Sequence, residues 1–425
     1  MTTGLLTALC AALLGRQAQI EWTQWTQNDW STLVDATHQH GVASLLYHKF
    51  ATAGWPCTVP NEARTNLQQK YHMSTARSAL QYKELARLLD ALCPITPVLL
   101  IKGAVLGSTL YPDASLRPMN DIDLIIPRHN LERALQVVEA LGYRQAPRVG
   151  PELDQTVAHH VALYNEANPA ITVELHWNLI GGDADWRTPS AAWFWQQTQL
   201  WQPHEAHLRC FPDLATSLST YRTEVLQLQP AAHLLYLTAH MLLQHSWQVP
   251  RLVWLHDIHL LVTSYGNQID WSVICEQARI LGWTAALHVA LERCQLCFGT
   301  PLPAGLLDTL QGVDEARTRM FVEHNQTRVP RAARTWQRLN ALRPWARLMW
   351  LLQLLYPTPQ YMCWRYRPRV AWLWPLYYPY RWLHILVAVV QALGYFVRQR
   401  WSAETHRNTG QTSIGVSPNR NRVTS

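Results

Sequence analysis

Apolar positions recur with helical spacing through residues 1–95. Leu33, Val34, Val42, Leu45 and Leu46 precede a polar break at Gly54 to Pro60, and Leu80, Leu85, Leu88, Leu89 and Leu92 follow it. A mostly helical leader is predicted there. Its opening, MTTGLLTALCAALLGRQ, has an apolar run without a basic start and reads as an amphipathic first helix.

At Pro97 the period changes. PVLLIK reads as a short buried strand, followed by a glycine turn, an apolar helix ending near Tyr111, a polar loop through Pro112, Asp113 and Pro118, and a second strand, DIDLII. Asn130 is placed to cap the helix LERALQVVEALGY, whose Leu131, Leu135, Val138 and Leu141 share a face and which Gly142 can close. HHVALYN and ITVELHW follow as a strand pair joined by a loop containing Asn168 and Pro169. The predicted class is α+β, with a small mixed sheet over 96–215 between helical regions at 1–95 and 216–327. The second helical region holds AAHLLYLTAHMLLQH, RLVWLHDIHLLVTSY and WSVICEQARILGWTAALHVALERC.

Beyond Arg328 the chain turns to Trp, Tyr, Arg and Pro, which predicts an Arg/aromatic helical region over 328–401 and a disordered tail over 402–425. His384 to Val397 is almost unbroken in apolar character but short, and no run is expected to reach the roughly 18–20 apolar residues that cross a bilayer.

Composition sharpens this picture at two points. The formal charge of +7 averages unequal regions, because Arg328 to Arg400 contains twelve arginines and no acidic residue. That segment suits peripheral membrane contact or solvated packing on the body, and no nucleic-acid-binding module is visible. Eight cysteines in 425 residues are too few for a disulfide scaffold, so a reduced, cytoplasmic setting is expected. Cys294 and Cys297 form a lone CxxC, read as structural helix residues.

The chemistry concentrates in PVLLIKGAVLGSTLYPDASLRPMNDIDLIIP. Asp121 and Asp123 lie two apart on a strand, so both carboxylates face one way while Ile122, Leu124 and Ile126 face the other. Paired anions on a half-buried strand are suited to a divalent cation, and hard oxygen donors favour magnesium, with manganese as a substitute. Glu174, sharing a strand face with Thr172 and His176, is the candidate third carboxylate. Three such groups can hold metal ions that clamp the attacking and leaving oxygens of phosphoryl or nucleotidyl transfer. Lys102 and Gly103, between the first strand and its helix, are placed to meet phosphates.

The order KG, RPMNDIDL, VELHW resembles the nucleotidyltransferase superfamily that includes DNA polymerase β and the aminoglycoside nucleotidyltransferases. It is more closely similar to a bacterial branch known only as nucleotidyltransferase family proteins. The segments HGVASLLYHKF, RLVWLHDIHLL and IDWSVICEQARILGW extend the likeness over roughly residues 20 to 300. The resemblance implies Mg²⁺ held by Asp121, Asp123 and Glu174, and transfer of a nucleotidyl group from a nucleoside triphosphate to a small-molecule or protein hydroxyl. It also matches Lys102 and Gly103 to the family's strand-end glycine, although Ala104 stands where the superfamily commonly has serine. Gly107-Ser108 is a second candidate, disfavoured because it falls inside the predicted helix.

Several residues carry competing expectations. Arg117 is placed to pair with Asp113 or to meet a phosphate. His176 is read as a structural histidine, and His159 and His160, alternating on a strand, are expected to send at most one ring toward the site. A metal phosphohydrolase reading would use His233, His256, Asp257 and Asp270, in a spacing too short for that fold. A non-enzymatic reading would make the chain a degenerate transferase domain that docks through its C-terminal region.

Overall fold

The structure is a computed structural model and describes residues 3–145, 159–165, 167–168, 171–180, 191–245, 251–311 and 344–409. Pro169, Arg328 to Arg343 and residues 410–425 lie outside the described residues. The described residues form two compact units, those up to 311 in one and 344–409 in the other.

The first unit is built on seven strands: β1 (Val98–Leu100), β2 (Ile122–Ile125), β3 (Tyr143–Gln145), β4 (His160–Asn165), β5 (Thr172–His176), β6 (Thr198–Leu200) and β7 (Val225–Leu228). They join in one mixed sheet of order β3-β4-β5-β2-β1-β7-β6. The β2–β5 and β1–β7 pairs are parallel and the other four antiparallel. Strands β3, β6 and β7 have no counterpart in the sequence reading, which carried the preceding helix through Tyr143. Each is too short for alternation to stand out.

Period-two alternation assigns the two faces of the sheet to two cores. Val98 and Leu100 of β1, Ile122 and Leu124 of β2, and Val173 and Leu175 of β5 enter a core shared with Leu85, Leu88, Leu89 and Leu92 of the long helix Asn61–Leu92. Leu99, Ile101 and Ile125 point to the other face, where the helices Pro230–Ala239, Leu252–Tyr265 and Thr284–Phe298 pack. Asp123, Glu174 and His176 belong to this second face. The helical leader, sheet and helical region predicted over 1–327 therefore share one compact unit. Leu80 departs from its expected face and is exposed, while Tyr82 is buried in its place and donates to the Ala104 carbonyl at 3.0 Å.

Asn130 does not cap its helix with its side chain. A 3₁₀ turn, Arg128–Asn130, already starts the coil after Pro127, so Asn130 is helical and its Nδ2 donates instead to Thr96 Oγ1 at 3.1 Å. Gly142, at φ +91°, closes the other end, a conformation that a side chain would strain.

The second unit contains the helices Pro344–Leu355, Pro359–Tyr366 and Tyr377–Thr409, the last entered through a 3₁₀ segment, Ala371–Leu376. Arg381 Nε, Trp382 Nε1 and Tyr378 Oη donate to the carbonyls of Leu354, Leu355 and Pro357 at 2.9, 3.0 and 2.8 Å, which ties the long helix to the turn after Pro344–Leu355. The helix runs on through residues 402–409, past the point where apolar content falls away. Contrary to the sequence expectation, Trp372–Val397 is long and apolar enough to cross a membrane, at 26 residues and a mean hydropathy of 1.3. The tyrosines and tryptophans ahead of His384, which break the strictly aliphatic run, remain compatible with a bilayer interface.

Candidate active site

The site grows from the register of two central strands. Asp123 on β2 is the direct parallel neighbour of Glu174 on β5, and the next pair on the same face is Ile125 with His176. On the far side of β5, Ala162 and His160 of β4 face Glu174 and His176. Asp123, Glu174, His176 and His160 are thereby brought to one patch of one sheet face.

Asp121 lies just before β2, at the end of a loop that the long helix grips at three points. Ser74 Oγ donates to the Ser115 carbonyl at 2.6 Å, Gln81 Nε2 to Met119 at 3.3 Å and Arg77 Nη2 to Asn120 at 2.9 Å. The leader helix thus holds the acidic pair in place through backbone carbonyls, which carry no sequence signature.

Lys102 connects β1 to the helix Gly103–Thr109 at φ +53°, a left-handed conformation unusual for a residue with a side chain. Its Nζ donates to Asp123 Oδ1 at 2.8 Å. Gly103 is needed where it stands, because a Cβ there would meet Met119 Cγ at 2.5 Å and Arg117 Nη1 at 2.8 Å. Gly107 and Ser108 lie inside the helix, with Ser108 Oγ donating to the Ala104 and Val105 carbonyls, so the preference for Lys102-Gly103 agrees with the helix bounds.

Arg117 does not pair with Asp113. Its Nε and Nη2 bond to the Asp257 carboxylate, the shortest contact being 2.7 Å, and both groups are buried. Only the Nη1 edge faces Gly103. Asp113 instead accepts from the Ser115 backbone N–H at 2.8 Å and turns the loop.

Electrostatically the carboxylates are unequal. Burial, followed by the charge of Asp123, pushes the Asp121 carboxyl up to about 7. Asp123 also pays a burial penalty, but the Lys102 ammonium and the His176 hydrogen bond hold its carboxyl well below the ordinary range. For Glu174 burial opposes ionisation and the His176 hydrogen bond outweighs it, so its carboxyl is lowered.

His176, fully buried, bridges the two acids, with Nε2 at 2.9 Å from Asp123 Oδ1 and 3.3 Å from Glu174 Oε2. Burial works against its protonation, and the two carboxylates more than compensate and raise it. The structural reading of His176 missed this contact, although the i,i+2 spacing from Glu174 already placed both on one face. His159 and His160 also both reach the site, against expectation. β4 begins at His160, so strand alternation does not govern His159, and its Nε2 lies 3.1 Å from His160 Nδ1. Gln244 Nε2 contacts His159 Nε2 at 2.8 Å from a π-helical turn, His240–Gln244, a rare irregularity often found at functional sites.

The phosphohydrolase ligand set is not assembled. Asp257 is engaged by Arg117 and by the Tyr111 hydroxyl, and the same hydroxyl lies 3.0 Å from His256 Nδ1. Asp270 caps the helix Trp271–Leu281 by accepting from Ser272 and Val273. Cys294 is buried with its Sγ toward the Leu255 carbonyl, a structural placement.

Residues 26–299 match the model of a family described as uncharacterised nucleotidyltransferase. The chain belongs to this family. No curated protein and no solved structure matches it. The matched span of this nucleotidyltransferase family member includes all seven strands and the helices over the acidic face, and it stops short of the Arg/aromatic unit.

Proposed function

We propose that the protein transfers a nucleoside monophosphate from a nucleoside triphosphate to a hydroxyl of a small-molecule or protein acceptor, with release of pyrophosphate. The observation that supports this most directly is the side-by-side register of Asp123 and Glu174 on parallel strands, with Asp121 two residues away and Lys102 against Asp123. Asp123 and Glu174, together with His176, bring ligand atoms within 4.8 Å of one another, which supports a divalent cation beside them, and Asp121 is not part of that group. Among the described residues no side chain donates to Asp121, and burial beside Asp123 leaves its carboxyl in need of positive charge.

Asp121, Asp123 and Glu174 would hold Mg²⁺, or Mn²⁺ in its place, and the ion would supply charge neutralisation at the triphosphate. The rest falls to the chain's own groups. Lys102 keeps Asp123 ionised and brings an ammonium beside the phosphates, and the bare Cα of Gly103 leaves room for Met119 and Arg117 next to that turn. Glu174, oriented by His176, accepts the proton as the acceptor oxygen bonds to the α-phosphorus and the bond to the pyrophosphate oxygen breaks. Arg117, clamped by Asp257, serves to position the loop before Asp121.

The test is incubation of the protein with each α-³²P-labelled nucleoside triphosphate, Mg²⁺ and cell extract, followed by separation of protein, nucleic-acid and small-molecule fractions. Label entering the protein or small-molecule fraction, and lost with Asp123→Asn, is the expected result. Label transfer that is absent for every triphosphate, or indifferent to that substitution, overturns the reading.

A second reading concerns the C-terminal unit, which we propose contacts a membrane surface. Its support is the long apolar helix, of which 11% is buried, with Leu383, Leu386, Val390, Leu393 and Val397 exposed and Trp372, Trp374, Tyr377, Tyr380 and Trp382 at its N-terminal end.

A further inference from the structure

Beside the carboxylates stands a second donor set of different chemistry. His159, His160 and His176 each bring a ring nitrogen to within 4.8 Å of the other two, and Glu174 lies at their edge, 3.6 Å from His160 Nε2. We propose that this trio is a nitrogen-donor site for a borderline divalent cation of the Zn²⁺ class, additional to the Mg²⁺ carboxylates.

Hydrogen bonding alone leaves the cluster frustrated. The Gln244 amide nitrogen donates to His159 Nε2 at 2.8 Å, so that nitrogen is unprotonated, and a bound metal ion would displace Gln244 as the partner of its lone pair. His160 Nδ1 sits 3.1 Å from the same atom, and His160 Nε2 faces the Glu174 carboxylate. If neutral His160 carries its proton on Nδ1, the bare Nε2 opposes a carboxylate. If the proton is on Nε2, two lone pairs meet at the His159–His160 contact. A cation resolves either conflict, and a metal ion also draws on His176, whose buried Nδ1 has no hydrogen-bond partner among the described residues.

One of the three spacings in the trio agrees with coordination. Tetrahedral Zn²⁺ with Zn–N bonds of about 2.0–2.1 Å separates its nitrogens by about 3.4 Å, close to the observed His159–His160 contact. Imidazole donors favour Zn²⁺, Co²⁺ or Ni²⁺, whereas Mg²⁺ takes oxygens, so the two donor sets select different ions.

The test is made on the full-length chain, stripped by chelator and titrated with Zn²⁺ in excess Mg²⁺ by calorimetry, with Co²⁺ as a spectroscopic probe. We expect about one Zn²⁺ per chain, undisplaced by Mg²⁺, and visible Co²⁺ bands of a nitrogen-ligated ion. His160→Gln and His159→Ala should each weaken Zn²⁺ binding by about 100-fold or more, while Asp121→Asn leaves it unchanged. Circular dichroism separates ligand loss from misfolding, and both substituted histidines are partly exposed. Failure of the wild type to bind Zn²⁺ under excess Mg²⁺, or binding indifferent to both histidine substitutions in folded protein, overturns the site. Because the readout is binding, it stands or falls separately from nucleotidyl transfer.

Discussion

Arg117 and Asp257, separated by 140 residues in the chain, form a buried ion pair whose shortest contact is 2.7 Å. The pair joins the loop before Asp121 to the helix Leu252–Tyr265, and the Tyr111 hydroxyl completes it by donating to Asp257 at 2.8 Å. Removing one member would leave the other charge stranded in an apolar layer. Asp257→Ala is therefore expected to destabilise the protein by about 3–5 kcal/mol, read from urea unfolding. An effect below about 1 kcal/mol, the range of surface pairs, would show that the contact is not a structural tie.

Asp121→Asn and Asp123→Asn change charge with little change in shape. Each is expected to lower nucleotidyl transfer by about 10²–10³-fold or more, with an unaltered circular dichroism spectrum. Glu174→Gln should act likewise, and it should also loosen His176, which loses one of its two carboxylate partners. Activity within about twofold of wild type in any of the three would remove that residue from the site.

The raised carboxyl of Asp121 gives metal-free protein a distinctive pH dependence. Its proton is held up to about pH 7 in the folded chain and lost near pH 4 in the unfolded one, so the folded state binds more protons between those limits. The contribution of Asp121 to stability falls as pH rises through this window, against the opposite contribution of buried histidines such as His233 and His256. In thermal melts of chelator-treated protein the melting temperature of the wild type should therefore fall relative to that of Asp121→Asn from about pH 4 to about pH 7. Added Mg²⁺ should raise the melting temperature most at the upper end, where the carboxylate is ionised.

At Gly103 the close approach of Met119 and Arg117 predicts a different signature. Gly103→Val should displace both side chains and so disturb the turn proposed to meet the phosphates, raising the KM for the triphosphate by about tenfold or more with a smaller effect on kcat. Lys102→Met should instead lower kcat as well, because the Asp123 carboxylate loses its ammonium partner. Equal effects of the two changes on both constants would argue against separate roles.

Membrane contact is tested in the full-length chain by placing charge on the exposed apolar helix. Leu386→Glu combined with Leu393→Glu should reduce flotation with anionic liposomes by more than about tenfold, given about 2.5–3.5 kcal/mol per charge moved into hydrocarbon. Unchanged flotation would leave the helix with no lipid-facing role.

Much of this protein is local and was readable from residue order. Period-two alternation put Asp123 on one face of a strand, although Asp121, expected beside it, lies just before that strand; the strand of Glu174 carried the same alternation, and the change of period near Pro97 located the start of the sheet. These patterns are legible because each reflects how one element presents its own faces. The tertiary structure alone decided which strands are neighbours, and so that Asp123 stands beside Glu174 and that His176, 53 residues beyond Asp123, lies 2.9 Å from it. It also decided that Lys102 pairs with Asp123, that Arg117 pairs with Asp257 rather than Asp113, and that a π-helical turn delivers Gln244 to His159. Ion pairs and imidazole contacts between distant segments depend on register and on the packing of whole layers, and neither leaves a period in the chain.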